Sequence, residues 1–395
     1  MIPLHPRVIV YCDHLLYASE TFILAQAGAL RSYTAEYAGL RRVKGLDLPE
    51  AQTHLINRGD RGGRRRELLF KLCGVAPAFC RELRALNPAL IHAHFGADGY
   101  RALPLSRKLK IPLIVSFHGS DATTTNIEHT RVPYGHRRYL ANRHVLQRGA
   151  HRIIAVSDFI RKKLLLQGFR DEKIRVHYIG VDTNLFSPND GQSEAMVLFV
   201  GRLVERKGLG YLISAMAEVQ NQYPSVELVV IGDGPLRRDL EVQARESLRR
   251  YRFLGTQTPV AVREWMGRAS IFAAPSVKVA SGEEEGFGMV FAEAQAMGKP
   301  VVSFASGGIV EAVDHENTGF LAPERDWRTL AQYLARLVGD ENLCRRFGLA
   351  GRERVLRLFD LDKQTRRLEE MYTEITNWPR SAAVGGIREL LFTEP

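Results

Sequence analysis

The stretch MVLFVGRLVERKGLGYLISAM, residues 196–216, decides how this chain is read. It opens with an unbroken apolar run, the pattern of a parallel strand covered on both faces. A short loop follows, in which Arg202 and Lys207 flank a turn relaxed by Gly208 and Gly210, and then an amphipathic helix. A basic pair at a strand-to-helix turn, beside a helix N-terminus, can cradle a diphosphate. The alternative is a surface pair that binds nothing.

The same strand-then-helix unit recurs in both directions. Before it come RVIVYC (7–12), LIHAHF (90–95), PLIVSFH (112–118), RIIAVS (152–157) and IRVHYIG (174–180); after it come VELVVIG (226–232), IFAAPS (271–276) and PVVSFA (300–305). Alternation of this kind predicts βαβ units and doubly wound parallel sheets. At 395 residues the chain is long enough for two such domains. The polar segment DTNLFSPNDGQSEA (182–195) reads as the hinge. The expected division is a Rossmann-like domain over 1–185, a second over 195–358, and a C-terminal helical segment over 359–395. Residues 380–395 are left open as a loose end, because Gly385-Gly386 interrupts any pattern. Ligands of such sheets bind beyond the carboxyl ends of the strands.

Composition bounds the class. An apolar fraction of 45% and a charged fraction of 25% are ordinary for a soluble globular protein. Cys12, Cys73, Cys80 and Cys344 lie far apart, without metal-ligand spacing, as free thiols in a reducing compartment would. No run approaches the ~18–20 apolar residues of a membrane span, and the N-terminus lacks a signal-peptide core, so a cytoplasmic protein is expected. Charge is uneven. Residues 1–190 hold 29 Lys/Arg against 16 Asp/Glu, and the remainder 26 against 28. That asymmetry suggests a polyanionic partner for the first half, such as an anionic membrane surface or a phosphorylated substrate, unless the arginines merely solvate helix faces. Nucleic acid is not expected, because no aromatic residues interleave with the basic runs.

The second telling stretch is SGEEEGFGMVFAEAQAMGKP, residues 281–300. It predicts a loop, a helix starting near Gly288, and a stop at Gly298. Glu285 stands at the helix mouth and Glu293 eight residues on, a spacing of just over two helical turns that would set them at the two ends of one ligand. The amides of Phe287, Gly288, Met289 and Val290 would be the unpaired donors of the helix start. Glu293 sits among apolar neighbours, where a carboxylate needs a partner and a diol could supply one. Glu283 and Glu284 are expected to be rim residues of the loop, facing an acceptor or solvent.

Together these residues resemble the GT4-type retaining glycosyltransferases of the GT-B fold, in the bacterial exopolysaccharide and colanic-acid branch. The E-x7-E pair, the GRL…KG motif (201–208), VVIGDGP (229–235), FLG (253–255) and Gly307-Gly308 with Glu311 stand in that family's order. SETFI (19–23), HAHFG (92–96), FHGSD (117–121) and VSDFIRKKL (156–164) carry the resemblance through the first half. It implies two Rossmann-like domains facing a central cleft, and transfer of a hexosyl unit from a UDP- or GDP-linked sugar to a glycan or lipid-linked saccharide with retention. It assigns Arg202 and Lys207 to the donor diphosphate, Glu293 to the ribose hydroxyls, Glu285 and the 287–290 amides to sugar and phosphate, and His118 to the reaction centre. Gly232, Phe253 and Leu254 would line the donor site, the last two near the base. Acceptor contacts are expected from Ser19, Glu20, His94 and Asp121. No cofactor or essential metal is implied.

Alternatives stay open at several positions. His92 and His94 could ligate a metal by spacing alone, but lack a third ligand nearby and read better as core or cleft-lining residues. Asp360 and Asp362 read as a helix N-cap cluster. Asp121 either assists His118 or caps the next turn. Ser19 is expected to cap the first helix, with Glu20 on an acceptor or in solvent. The same fold also serves nucleotide-sugar epimerases and hydrolases, and transferases acting on soluble small molecules, with the membrane then playing no part.

Overall fold

The recurring strand–helix units resolve into two parallel sheets in the computed structural model, which describes residues 5–124, 134–188 and 193–377. The first sheet contains β1 (Arg7–Tyr11), β2 (His14–Leu15), β3 (Thr34–Arg42), β4 (Thr53–Asn57), β5 (Pro88–His94), β6 (Leu113–Phe117), β7 (Arg152–Ala155) and β8 (Ile174–Val176). Their order is β2-β3-β1-β5-β6-β7-β8, with β4 on β3. The second contains β9 (Glu194–Val200), β10 (Glu227–Ile231), β11 (Tyr251–Phe253), β12 (Ala269–Ala273), β13 (Val301–Phe304) and β14 (Gly319–Ala322), in the order β11-β10-β9-β12-β13-β14. Every pairing in it is parallel. This is the 3-2-1-4-5-6 order of a dinucleotide-type Rossmann sheet. Its central strands are apolar on both faces. Val197, Leu198, Phe199, Ile271 and Phe272 are fully buried, each contributing about 1.5–3 kcal/mol of transfer free energy.

Five strands were not legible as apolar runs. β3 carries a buried Glu36, which lies 3.2 Å from Arg7 Nε and 3.1 Å from His54 Nε2. β2, β4, β11 and β14 span two to five residues.

By sheet, the chain divides between β8 and β9, within the polar segment read as the hinge; residues 189–192 of it lie outside those described. By packing it divides differently from the expected boundary at 185. One compact unit holds residues 1–115, 142–153 and 365–395, the other 116–141 and 154–364. The segments after β6 and β7 group with the second unit because they grip its 284–286 loop, as described below. The last helix, Leu361–Thr376, begins in the second unit and from Thr365 belongs to the first. There the Glu369 carboxylate accepts the amides of Arg31 (2.8 Å) and Ser32 (2.6 Å), and the Tyr372 hydroxyl lies 2.6 Å from His92 Nδ1. Asp360 caps this helix through the Lys363 amide (3.0 Å). The expectation for residues 380–395 falls outside the described residues.

Candidate functional site

In the second sheet the strand order reverses between β9 and β12, so the loops leaving their carboxyl ends open a crevice at that point. The β9 loop is Gly201–Gly208 and the β12 loop Ala274–Gly288. The sequence-predicted donor residues stand on these two loops and on the helix that follows.

One glycine lets the loops meet. Gly208 is left-handed (φ 65°), and a Cβ there would lie 1.9 Å from the Pro275 carbonyl oxygen. The Val277 amide donates to Arg206 O at 2.8 Å. This stitching aims the 205–207 turn at the β12 loop. Lys207 Nζ donates to Glu285 Oε2 at 2.5 Å, and Arg206 Nη1 to the same oxygen at 3.1 Å. Burial alone would raise the Glu285 carboxyl, but Lys207 and Arg206 outweigh it and hold the group down at about 2. Glu285 is therefore ionised, and it keeps Lys207 in place. Arg206 is a member of this cluster that the sequence reading missed; nothing in ERKG separates its role from that of an ordinary surface arginine. Arg202 is different. Its side chain is exposed and has no ion-pair or hydrogen-bond partner among the described residues, so its charge is available to a ligand.

Residues 289–296 form the expected helix, with Gly288 (φ 84°) as its N-cap. Glu285 precedes that helix, so the two-turn geometry expected for Glu285 and Glu293 is not realised: the spacing covers a loop and one turn. Of this helix only Met289, Val290 and Glu293 are not buried. No acceptor among the described residues takes the amides of Phe287, Gly288, Met289 or Val290. The Phe287 ring itself is buried against Tyr178 and Phe359, leaving only its amide to a ligand. Glu293 has no hydrogen-bond or ion-pair partner among the described residues, and burial pushes its carboxyl up to about 7. A carboxyl desolvated without compensation is a place for ligand hydroxyls.

The loop carrying Glu285 is gripped on two sides. Gly307 and Gly308 pack against it so closely that a Cβ would lie 2.3 Å from Glu285 O or 2.0 Å from Gly286 O. The Gly308 amide donates to Glu285 O at 2.8 Å. Opposite, Ser157 Oγ donates to Gly286 O at 2.6 Å, and a Cβ on Gly286 would meet His118 O at 2.2 Å. His118 is thus placed, at the end of β6, with its backbone against Gly286. The Asp121 carboxylate accepts the amides of His118 (3.1 Å) and Gly119 (2.9 Å). It shapes the turn that presents His118. Glu311 completes the frame: it accepts the Asp158 (2.8 Å) and Phe159 (2.7 Å) amides at the start of helix Asp158–Leu166, and the Tyr178 hydroxyl at 3.0 Å. The Gly-Gly…Glu motif is a clamp for this loop.

Other expectations need correction. Glu284 is not a solvated rim residue. It is buried, ion-paired to Lys163 Nζ at 2.7 Å, with Lys278 Nζ at 3.6 Å. A lone carboxylate could not be buried there, and the two lysines compensate it. Glu283 lies 4.0 Å from Arg206 Nε. Ser19 does not cap the first helix, Thr21–Gly28; it lies in an exposed turn, and Glu20 occupies the cap position without a side-chain cap. Glu20 instead accepts the Tyr17 amide at 2.8 Å, and burial raises its carboxyl to about 7. His94 is buried and stacks on His92 at 4.4 Å. Among the described residues no group of three or more His, Cys, Asp or Glu could hold a metal ion. Gly232 (φ 138°) allows close approach to Gly201 O, where a Cβ would lie at 1.9 Å. Phe253 ends β11, and the Leu254 amide already donates to Val230 O, so it offers a base no free N–H.

Comparison with known proteins agrees with this fold. The model of the family "Glycosyltransferase Family 4" matches residues 28–185, and that of "Glycosyl transferases group 1" matches residues 181–354. The chain is 29% identical over 362 residues to the amylovoran biosynthesis glycosyltransferase AmsK of Erwinia amylovora, covering 81% of this chain and 85% of that protein. It is 32% identical over 255 residues to the putative colanic acid biosynthesis glycosyltransferase WcaL of Escherichia coli K12, covering 62% and 60%. Among solved structures, Anabaena HepE in complex with UDP and glucose superposes with a TM-score of 0.75 at 21% identity, over 93% of this chain and all of that one. Sucrose-phosphate synthase of Thermosynechococcus elongatus gives 0.74 at 22%, over 93% and 98%. The chain belongs to the GT4-type glycosyltransferases, with the GT-B fold.

Proposed function

We propose that the protein transfers a hexosyl unit from a nucleoside diphosphate onto a glycan or lipid-linked saccharide, with retention, in the assembly of a bacterial exopolysaccharide. One observation carries this reading. The two loops at the switch point of the second sheet and the helix after them carry a guanidinium (Arg202), four amides (287–290) and a carboxyl (Glu293) with no partner among the described residues, together with Lys207, which Glu285 holds in place. Cations and amides suit a diphosphate; a carboxyl suits ribose hydroxyls.

In the reaction the bond from the anomeric carbon to the diphosphate oxygen breaks, and a bond to the acceptor oxygen forms on the same face. The acceptor proton passes to the departing phosphate. Arg202 and Lys207 meet the charge that grows on the leaving group, with no bound metal in this account, and one such preorganised contact is worth about 3–4 kcal/mol. His118, held against Gly286, would face the sugar. UDP in the HepE crystals supports a nucleoside diphosphate donor, and the names of AmsK and WcaL support an exopolysaccharide acceptor. The test is consumption of labelled UDP- or GDP-sugars with saccharide acceptors. Transfer by the parent and a drop of about 100-fold or more for Arg202→Ala is expected. No consumption, or equal rates, contradicts the reading; conversion of the sugar without an acceptor points to an epimerase or hydrolase.

A further inference from the structure

The helix Met289–Ala296, which carries Glu293, is completed at its carboxyl end by a residue distant in sequence. An α-helix leaves its last four carbonyls without intrahelical partners. Here the Met297 amide donates to Glu293 O at 3.2 Å, the Lys299 amide to Ala294 O at 3.0 Å, and the Gly298 amide to Gln295 O at 2.9 Å. The fourth, Ala296 O, accepts Arg352 Nη1 at 2.8 Å. Arg352 stands on the helix Glu341–Leu358, which packs so closely that a Cβ on Gly348 would lie 2.0 Å from Gly298 O.

The same guanidinium holds the segment that joins β8 to β9. Nη1 also donates to Phe186 O at 2.7 Å, and Nη2 donates to Thr183 O at 2.9 Å. Among the described residues, every hydrogen-bonded link between this linker and the Glu293 helix runs through Arg352. On its other side the linker is tied to the start of the last helix. Thr183 Oγ1 donates to the Asp360 carboxylate at 2.7 Å, and the Leu361 amide to Val181 O at 2.9 Å.

Chemistry explains why this residue is an arginine. Burial pushes its guanidinium down, with Asp360 as the charge that opposes the shift, and its hydrogen bonds go to backbone carbonyls. A guanidinium offers five donors in a rigid fork, enough for three carbonyls on two segments, whereas an ammonium is a point charge. Its charge also suits the negative end of the helix. Ala296 lies three residues beyond Glu293, less than one helical turn. What fixes the carbonyl of one therefore places the carboxyl of the other.

We propose that Arg352 is a positioning residue of the donor site: it locks residues 183–186 of the linker to the carboxyl end of the Glu293 helix, and so sets where Glu293 and the 287–290 amides stand. The effect on the donor rests on the function proposed above; the tie does not.

The test is hydrogen exchange and nucleotide titration on the full chain, for the parent, Arg352→Ala, Arg352→Lys and Arg357→Ala, the last at an exposed arginine of the same helix. Lysine keeps the charge and removes the fork, and it is the variant to read if alanine fails to fold. In both Arg352 variants the amides of Phe186, Met297 and Gly298 should exchange at least about tenfold faster, the worth of a hydrogen bond to a charged group. Those of Asn317 and Thr318, which donate to Asp314 O in a turn elsewhere in the second unit, should exchange as in the parent. Whichever of UDP, GDP and ADP the parent binds should bind both Arg352 variants at least about fivefold more weakly, and Arg357→Ala like the parent. Exchange at the parent's rate in either segment, an equal rise in the Asn317 turn, or a return to the parent's rate with lysine overturns the tie. Affinity equal to the parent's while both segments are loosened overturns the positioning role. A parent that binds none of the three nucleotides refutes the donor-site reading instead, and the exchange rates still decide whether Arg352 makes the tie.

Discussion

Replacing Glu293 by glutamine keeps the shape of the side chain and removes its charge. Burial without a partner raises this carboxyl from its ordinary 4.5 to about 7. The folded state therefore holds the proton more tightly than the unfolded chain. The associated stability is fully present below about 4.5, falls as pH rises towards 7, and stays lost above it. Each pH unit between the two values is worth about 1.4 kcal/mol, so the window spans about 3 kcal/mol, or about 2 after allowance for the partial exposure of the residue. Glutamine, always neutral, escapes that loss. Glu293→Gln should therefore differ little from the parent at pH 5 and exceed it by about 2 kcal/mol at pH 8, a gain of about 4–8 °C in thermal midpoint for a unit of this size. The same variant should bind nucleoside diphosphate about ten- to 100-fold more weakly, the worth of a hydrogen bond to a charged group. Thermal unfolding at the two pH values, with and without nucleotide, gives both readings. A gain independent of pH, or a loss at pH 8, refutes the reasoning.

Glu285 should behave in the opposite sense. Held at about 2 by Lys207 and Arg206 against its own burial, it contributes stability above its ordinary 4.5 that is lost as pH falls through that range. Glu285→Gln should cost about 3 kcal/mol at pH 7, narrowing by about 2 kcal/mol at pH 3, as read from urea unfolding. Glu311→Ala strands two helix amides and the Tyr178 hydroxyl. A thermal-melt loss of about 2 kcal/mol is expected, against less than about 1 kcal/mol for Tyr178→Phe. Gly308→Ala places a methyl 2.0 Å from Gly286 O. It should cost about 1–3 kcal/mol and lower the transfer rate by displacing the Glu285 loop.

Nine strands were legible as apolar runs, eight of them mostly buried and β8 exposed at Arg175 and Val176, and so were the two glycine-punctuated loops at the ends of β9 and β12. Pattern does not show what cancels a charge. β3 escaped notice because Glu36 looks like a solvent residue until Arg7 and His54 are brought to it. Glu284 looked like one more carboxylate of an acidic run, yet Lys163, distant in sequence, lets it be buried. Arg206 and Lys207 are adjacent and alike in sequence, and only the fold shows that they share one Glu285 oxygen. The helix 63–73 read as a basic run, whereas its surface shows leucines beside the arginines. Local motifs thus named the two loops at the switch point of the second sheet, and long-range partners decided which charges are compensated within the chain.

The central claim is that the unpaired groups at the β9–β12 crevice form a nucleoside diphosphate site. Calorimetric titration of UDP, GDP and ADP into the parent, Arg202→Ala and Glu293→Ala tests it most directly. One of the nucleotides should bind the parent at a single site, and at least about tenfold more weakly to each variant, while both variants unfold at or above the parent midpoint at pH 8. Failure of all three nucleotides to bind the parent, or equal affinity in the variants, would contradict it.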